Sequence, residues 1–246
     1  MTPRRPFLRP LLVWLFAGPW MAVLTLGGFL LAPFIGGARA FWIVAPLYLR
    51  HVKVLFGIQC ILEGWEDLPE GIRNGTSPAI FVGNHSSLLD PPLVIATLPS
   101  RPVFLVKREL AFVPVLGWII WLAGFIFIDR SDRRSSLAGL KDAARRIREG
   151  QSLAAFPEGT RSLDGRLLPF KKGAFSLAFE SGVPIVPLGI RGGREVLPKG
   201  TWRVAPAAYH LRVGRPLHPG DFQNLEALRT RTASAVESLA VATESV

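Results

Sequence analysis

His85 and Asp90 stand five residues apart in Asn84-His85-Ser86-Ser87-Leu88-Leu89-Asp90, and their types suit acid–base chemistry. A carboxylate that holds one imidazole nitrogen fixes the tautomer and turns the other nitrogen into a general base. The same spacing also serves a structural contact that caps a turn, so the pair alone leaves both readings open. A second cluster lies in Phe156-Pro157-Glu158-Gly159-Thr160-Arg161. Arg161 suits a bidentate grip on phosphate, and Glu158 suits accepting hydrogen bonds from glycerol hydroxyls. Seen singly, each equally suits a surface salt bridge in a turn. Cys60 is the single cysteine, so no intrachain disulfide forms, and no Cys/His cluster has zinc spacing.

Such side chains need elements to aim them. After about residue 55, short apolar runs alternate with helical patterns. Strands are expected at 77–83, 103–106, 152–156, 184–190 and 204–213. Helices are expected from Asp90 onward, at 131–149, at 172–181 and from Leu225 to the C-terminal region. That alternation implies an α/β fold with a mixed, largely parallel sheet flanked by helices. His85 then falls where a strand ends and a helix begins, and backbone N–H groups at a helix start suit a carboxylate or a developing oxyanion. Glu158 and Arg161 fall in the loop after a strand, the edge where open α/β sheets bind ligands. Lys107 also follows an expected strand; it is a phosphate candidate or a solvated surface lysine.

The N-terminal region has another character. From Pro10 to Ala38 no residue is charged, a run of 29. As one helix it would reach roughly 44 Å, beyond a hydrocarbon core of ~30 Å. Pro19, Gly27-Gly28 and Pro33 are expected to interrupt it. Its length, and a second apolar stretch from Ala40 to Leu49, favour a retained anchor over a cleaved signal peptide. Basic residues flank it on both sides: Arg4, Arg5 and Arg9 before, Arg39, Arg50 and Lys53 after. A hairpin or re-entrant pair keeps both clusters on the cytoplasmic side. The division expected is a membrane-anchoring helical hairpin over 1–55 and an α/β domain over 56–246. Net charge is +11. With apolar stretches beside basic flanks, that charge points to an anionic membrane surface, and RNA-recognition signatures are not evident. Ala111 to Ile128 is also uncharged. A span there would separate His85 from Glu158, so it is expected to fold back as an interfacial helix to about Ala123 and then a strand.

Four blocks in order carry a resemblance: Asn84–Asp90, Gly124-Phe125-Ile126-Phe127-Ile128-Asp129-Arg130, Phe156–Arg161 and Val183-Pro184-Ile185-Val186-Pro187-Leu188. Over roughly residues 80–190 the chain resembles the glycerolipid acyltransferase family, the group that includes the 1-acylglycerol-3-phosphate acyltransferases. The resemblance implies His85 as general base and Asp90 as its orienting partner. It implies Arg130, Glu158 and Arg161 as acceptor-binding residues, with Gly159 giving close backbone approach. The implied reaction is acyl transfer from a thioester, acyl-CoA or acyl-carrier protein, to the sn-2 hydroxyl of lysophosphatidic acid. Another lysolipid, such as a lyso-ornithine lipid, is the alternative acceptor, and a non-catalytic basic membrane-surface protein is the remote one. Without a Gly-x-Ser-x-Gly elbow, direct attack is favoured over a covalent acyl-enzyme. No cofactor or metal is expected, and the implied partners are membrane lipids and the acyl donor, at the cytoplasmic membrane.

Overall fold

The computed structural model describes residues 8–129, 132–162, 164–201 and 203–241. Arg4 and Arg5 of the basic start lie outside the described residues. Two helices come first, α1 (Leu8–Ile35) and α2 (Gly37–Phe56). The expected interruptions do not break α1: Pro19 and Pro33 both sit inside it. Each proline removes one backbone hydrogen bond, a local loss that a 28-residue helix absorbs. The chain turns instead at Gly36, whose φ of +86° is a conformation that glycine adopts without steric cost. The helices run antiparallel, since Trp20 meets His51 edge-on at 5.5 Å while Gly28 faces Val44. Leu26, Leu30 and Phe34 stand exposed along α1, Phe34 at 84%. By length and composition Leu15–Ile35 is long and apolar enough to cross a membrane.

The remainder follows the expected alternation. In order come β1 (Gln59–Glu63), α3 (Glu70–Arg73), β2 (Ile80–Gly83), α4 (Asp90–Thr97), β3 (Val103–Lys107), α5 (Leu116–Leu122) and β4 (Ile126–Ile128). Then follow α6 (Arg133–Arg148), β5 (Leu153–Ala155), α7 (Gly173–Ser181), β6 (Ile185–Arg191), α8 (Gly193–Val196), β7 (Ala208–Val213) and α9 (Leu225–Ala240). The seven strands form one sheet in the order β1-β7-β6-β2-β5-β3-β4. Only β6 and β7 pair antiparallel; the other neighbours are parallel. β2 and β6 are buried throughout their apolar runs, as inner strands covered by helices on both faces must be.

β2 starts at Ile80, three residues later than expected, and two strands differ more. β1 escapes notice in the sequence because it is an edge strand only partly buried, with Gln59 and Glu63 at its ends. β7 starts at Ala208 rather than Val204, and Pro206 in the shortened stretch has no N–H to give a ladder. The uncharged run at 111–128 folds back, as expected, into α5 and β4, leaving Trp118 and Trp121 exposed. The α1–α2 hairpin packs on this segment: Phe29 stacks on Trp121 at 6.1 Å, and Phe41 meets Phe125 at 5.4 Å. α6, α7 and α9 form a second packed group of helices.

The sheet leaves little room where α9 crosses β6. A Cβ added at Gly189 would lie 2.3 Å from Leu239 Cβ and 2.4 Å from the Leu239 carbonyl carbon. Backbone must move to admit it. Gly189→Ala is therefore expected to destabilise the chain by about 1–3 kcal/mol in a denaturant titration; an unchanged midpoint would refute this close approach.

Candidate active site

Strand register brings the two clusters together. β2 and β5 are parallel neighbours with Val82 opposite Ala155. Three residues further along each chain, His85 comes level with Glu158. The backbone N–H of His85 donates to Glu158 Oε1 at 2.6 Å, and the Leu168 N–H donates to Oε2 at 2.9 Å. The Ser162 N–H donates to the His85 carbonyl at 2.9 Å, closing the loop that carries Arg161 onto the histidine. On the other side of β2, the Asn84 amide exchanges two bonds with Ile190: Nδ2 donates to its carbonyl at 2.9 Å and Oδ1 accepts its N–H at 2.7 Å. This extends the β2–β6 pairing past the end of the strand.

The His85 ring is held at one nitrogen and on one face. Its Nδ1 lies 2.9 Å from Asp90 Oδ2. That same oxygen accepts the N–H groups of Ser86 and Ser87, each at 2.7 Å. Of the two anions expected at backbone N–H groups here, a carboxylate or an oxyanion, the two in the turn before α4 hold the carboxylate of Asp90. A carboxylate oxygen accepting three bonds orients Nδ1 as a donor and leaves Nε2 as the free lone pair. Phe156, the residue after β5, stacks on the imidazole at 4.7 Å and 20°. Asp90 is fully buried, and the His85 side chain is 18% exposed, enough for one edge to meet a reactant.

Glu158 is placed as a brace. It is 5% exposed, and each of its oxygens takes a backbone N–H. Burial pushes its carboxyl pKa up, opposed by those two backbone bonds. Burial likewise holds the Tyr209 phenol well above its usual range, with the Asp90 charge adding to it; Tyr209 lies behind the dyad, 3.5 Å from the Asp90 carbonyl. Gly159 turns the loop at φ +75°, in the left-handed region that favours glycine. The half-buried Arg161 guanidinium makes no hydrogen bond or ion pair among the described residues, so it is open to an anion. Lys107 reaches the same sheet edge but pairs with Glu109 at 2.7 Å. Arg130 lies outside the described residues. Beside Phe156 and Gly159 opens a cavity of about 230 Å³, walled by Leu105, Ile128, Leu140, Ala155 and Ala174. His85, Asp90, Glu158, Gly159 and the Arg161 loop come together; Lys107 stands apart in its own ion pair. No group of three metal-ligating side chains occurs among the described residues.

A protein-family model described as Acyltransferase matches residues 60–191, more than half of the chain. The chain belongs to this acyltransferase family. Among curated relatives, a 1-acyl-sn-glycerol-3-phosphate acyltransferase of Limnanthes douglasii is 40% identical over 154 residues, 62% of this chain and 55% of that protein. The mouse 1-acyl-sn-glycerol-3-phosphate acyltransferase alpha is 36% identical over 176 residues, 71% of this chain and 60% of that one. The chain thus spans little more than half the length of these relatives. A crystal structure of the 1-acyl-sn-glycerophosphate (LPA) acyltransferase PlsC from Thermotoga maritima superposes with a TM-score of 0.78 and 27% identity. That likeness covers 95% of this chain and 94% of the other.

Within the acyltransferase fold, two residues reach the site from 38 and 103 positions away, Lys199 to Arg161 and Gly193 to Asp90, and no spacing in the sequence points to them. Lys199 Nζ donates to the Arg161 carbonyl at 2.7 Å, adding a cation to the loop that carries Arg161. Gly193 lies against the dyad: a Cβ there would fall 2.4 Å from Asp90 Oδ1 and 2.9 Å from Ser86 Oγ. Gly193→Ala must displace the carboxylate that aims His85. We expect turnover to fall about a hundredfold while the acceptor KM stays within about twofold, since small misplacements of a reacting group cost that much. Steady-state kinetics check this, and unchanged turnover would show the dyad does not need the glycine. Glu158→Gln puts an amide NH₂ against a backbone N–H. It should lower stability by about 1–3 kcal/mol as well as turnover. A raised acceptor KM with unaltered stability would instead assign Glu158 to acceptor binding.

Proposed function

We propose that the chain moves a fatty acyl group from a thioester, acyl-CoA or acyl-carrier protein, to the sn-2 hydroxyl of lysophosphatidic acid, giving phosphatidic acid. The observation that carries this reading is the His85–Asp90 contact, with the second ring nitrogen free and the loop that carries the unpaired Arg161 bonded to the His85 carbonyl through Ser162. The similarity to named lysophosphatidic acid acyltransferases supports the acceptor class.

In this scheme His85 Nε2 takes the proton of the acceptor hydroxyl as its oxygen attacks the thioester carbonyl carbon. The C–O bond forms, the tetrahedral intermediate collapses, and the C–S bond breaks. The proton on His85 passes to the departing thiolate, so the base is regenerated and no acyl-enzyme arises. Asp90 fixes the tautomer and steadies the imidazolium between the two proton transfers. Arg161, with Lys199 close behind, grips the acceptor phosphate. Arg130 and Lys107, near the same sheet edge in sequence, are assigned supporting cationic roles. The cavity beside Phe156 has apolar walls suited to the start of an acyl chain. The acyl donor is a substrate, and the scheme needs no cofactor.

The acceptor is a membrane lipid, which gives the hairpin its purpose. The uncovered apolar side of α1, with Trp118 and Trp121 on α5, is suited to the interior and headgroup layers of a bilayer. We place the protein on the cytoplasmic membrane with the site facing the cytoplasm. Purified full chain given lysophosphatidic acid and either donor should form phosphatidic acid. His85→Ala should cut turnover by about 10²–10⁴-fold while still sedimenting with vesicles. Arg161→Ala should raise the acceptor KM about tenfold or more. Unimpaired transfer by His85→Ala would refute the mechanism, and a lower kcat at unchanged KM would refute the phosphate role of Arg161.

A further inference from the structure

A second cavity lies away from the dyad, between α2 and the end of α4. Its volume is about 230 Å³, and its walls include Trp42, Leu49 and Leu98. α4 begins at Asp90 and ends at Thr97, so at 1.5 Å per residue this cavity sits roughly 12 Å from the catalytic end of the helix. Three cations surround it: Arg50 and Lys53 from α2, and Arg101 from the loop before β3. No acidic residue lines it, and among the described residues none of the three forms a salt bridge. Arg101 lies over the Trp42 ring, 5.8 Å from its centroid, which fixes the guanidinium while leaving its N–H groups uncommitted. Ser100 is also in the wall, and its buried hydroxyl has no hydrogen-bond partner. A cavity with three unpaired cations and an unsatisfied hydroxyl asks for an anion with several acceptor oxygens.

We infer that this cavity binds the phosphate headgroup of an anionic membrane phospholipid, at a site separate from the catalytic one. The observation that selects a lipid over a free anion is its continuity with an apolar surface. On α2 itself, Leu47, Val54 and Leu55 are exposed within a turn or so of Arg50 and Lys53, Val54 at 78%. A lipid whose acyl chains lie along that uncovered helix carries its phosphate to the height of the cations. Trp42 at the cavity wall is the side-chain type that favours this interfacial layer. Free phosphate has no use for the flanking apolar side chains. The site rests on the membrane placement proposed above and is independent of the acyl-transfer chemistry.

The test uses full-length protein and two vesicle types, phosphatidylcholine alone and phosphatidylcholine doped with phosphatidic acid. Wild type should bind the doped vesicles about tenfold more tightly in co-sedimentation. The triple variant Arg50→Gln/Lys53→Gln/Arg101→Gln should lose that preference. A control of equal charge, Arg134→Gln/Lys141→Gln/Arg148→Gln on α6, should keep it within about twofold. Ser100→Asp, which places one negative charge in the wall and leaves the cations untouched, should cut the preference about fivefold and decides the matter if the triple variant fails to fold. Equal losses in pocket and control variants would overturn the proposal, because the effect would then be diffuse charge. Abolition of the preference by inorganic phosphate at the lipid-phosphate concentration would overturn it in favour of a free anion. Equal binding to both vesicle types would overturn the site alone, whereas no binding to either would overturn the membrane placement and the site with it.

Discussion

One oxygen, Asp90 Oδ2, accepts the His85 Nδ1–H and the backbone N–H groups of Ser86 and Ser87. It does so fully buried, where an unmade hydrogen bond costs more than at the surface. The three contacts fix different things. The backbone pair shapes the turn that leads into α4, and the third contact sets which ring nitrogen is left free. Because turn and tautomer share one acceptor, a shift in Asp90 disturbs both at once. Gly193 guards the other carboxylate oxygen, Oδ1, which is buried without a partner and leaves no space for a side chain opposite it.

The sheet supplies the second constraint. Register between β2 and β5 sets His85 opposite Glu158, and register between β2 and β6 sets Asn84 level with Gly189, within reach of the Ile190 backbone. Polar side chains then continue the pairing where the strands stop. The histidine is thereby braced through its backbone N–H, its backbone carbonyl and its ring face by Glu158, Ser162 and Phe156 of one loop, and at Nδ1 by Asp90. Holding a reacting group this firmly avoids reorganisation at the moment of reaction. Arg161 is treated differently. Its backbone is anchored through the neighbouring Ser162 and by Lys199, while its guanidinium stays uncommitted, as the proposed phosphate grip requires.

Much of this was legible in the sequence, for physical reasons. The inner strands β2 and β6 read as unbroken apolar runs because helices cover both faces, and α6 and α9 read clearly because their apolar residues keep helical spacing. His85, Asp90 and Glu158 stood out because local spacing reflects local geometry. Edge strand β1 did not stand out, being half exposed with little apolar pattern. The prolines of α1 misled, since a proline costs one bond in a long helix and the true turn came at Gly36. By its type Glu158 suits accepting hydroxyls, and only the fold reveals two backbone donors on it. Gly193 and Lys199 were invisible, because their contacts depend on a crossover that brings distant chain back to the dyad.

The His85–Asp90 pair and the apolar hairpin are linked through α4. Its first residue is Asp90, and its far end packs towards α2, the helix that joins the hairpin to the sheet. The claim on which the mechanism stands is that Asp90 acts through His85 and by no separate route. A double-mutant cycle on acyl transfer tests it most directly, using His85→Ala, Asp90→Asn and the two together. The expected result is that the double variant is no slower than His85→Ala alone. Losses that multiply would contradict the account, because Asp90 would then contribute independently of the histidine it holds.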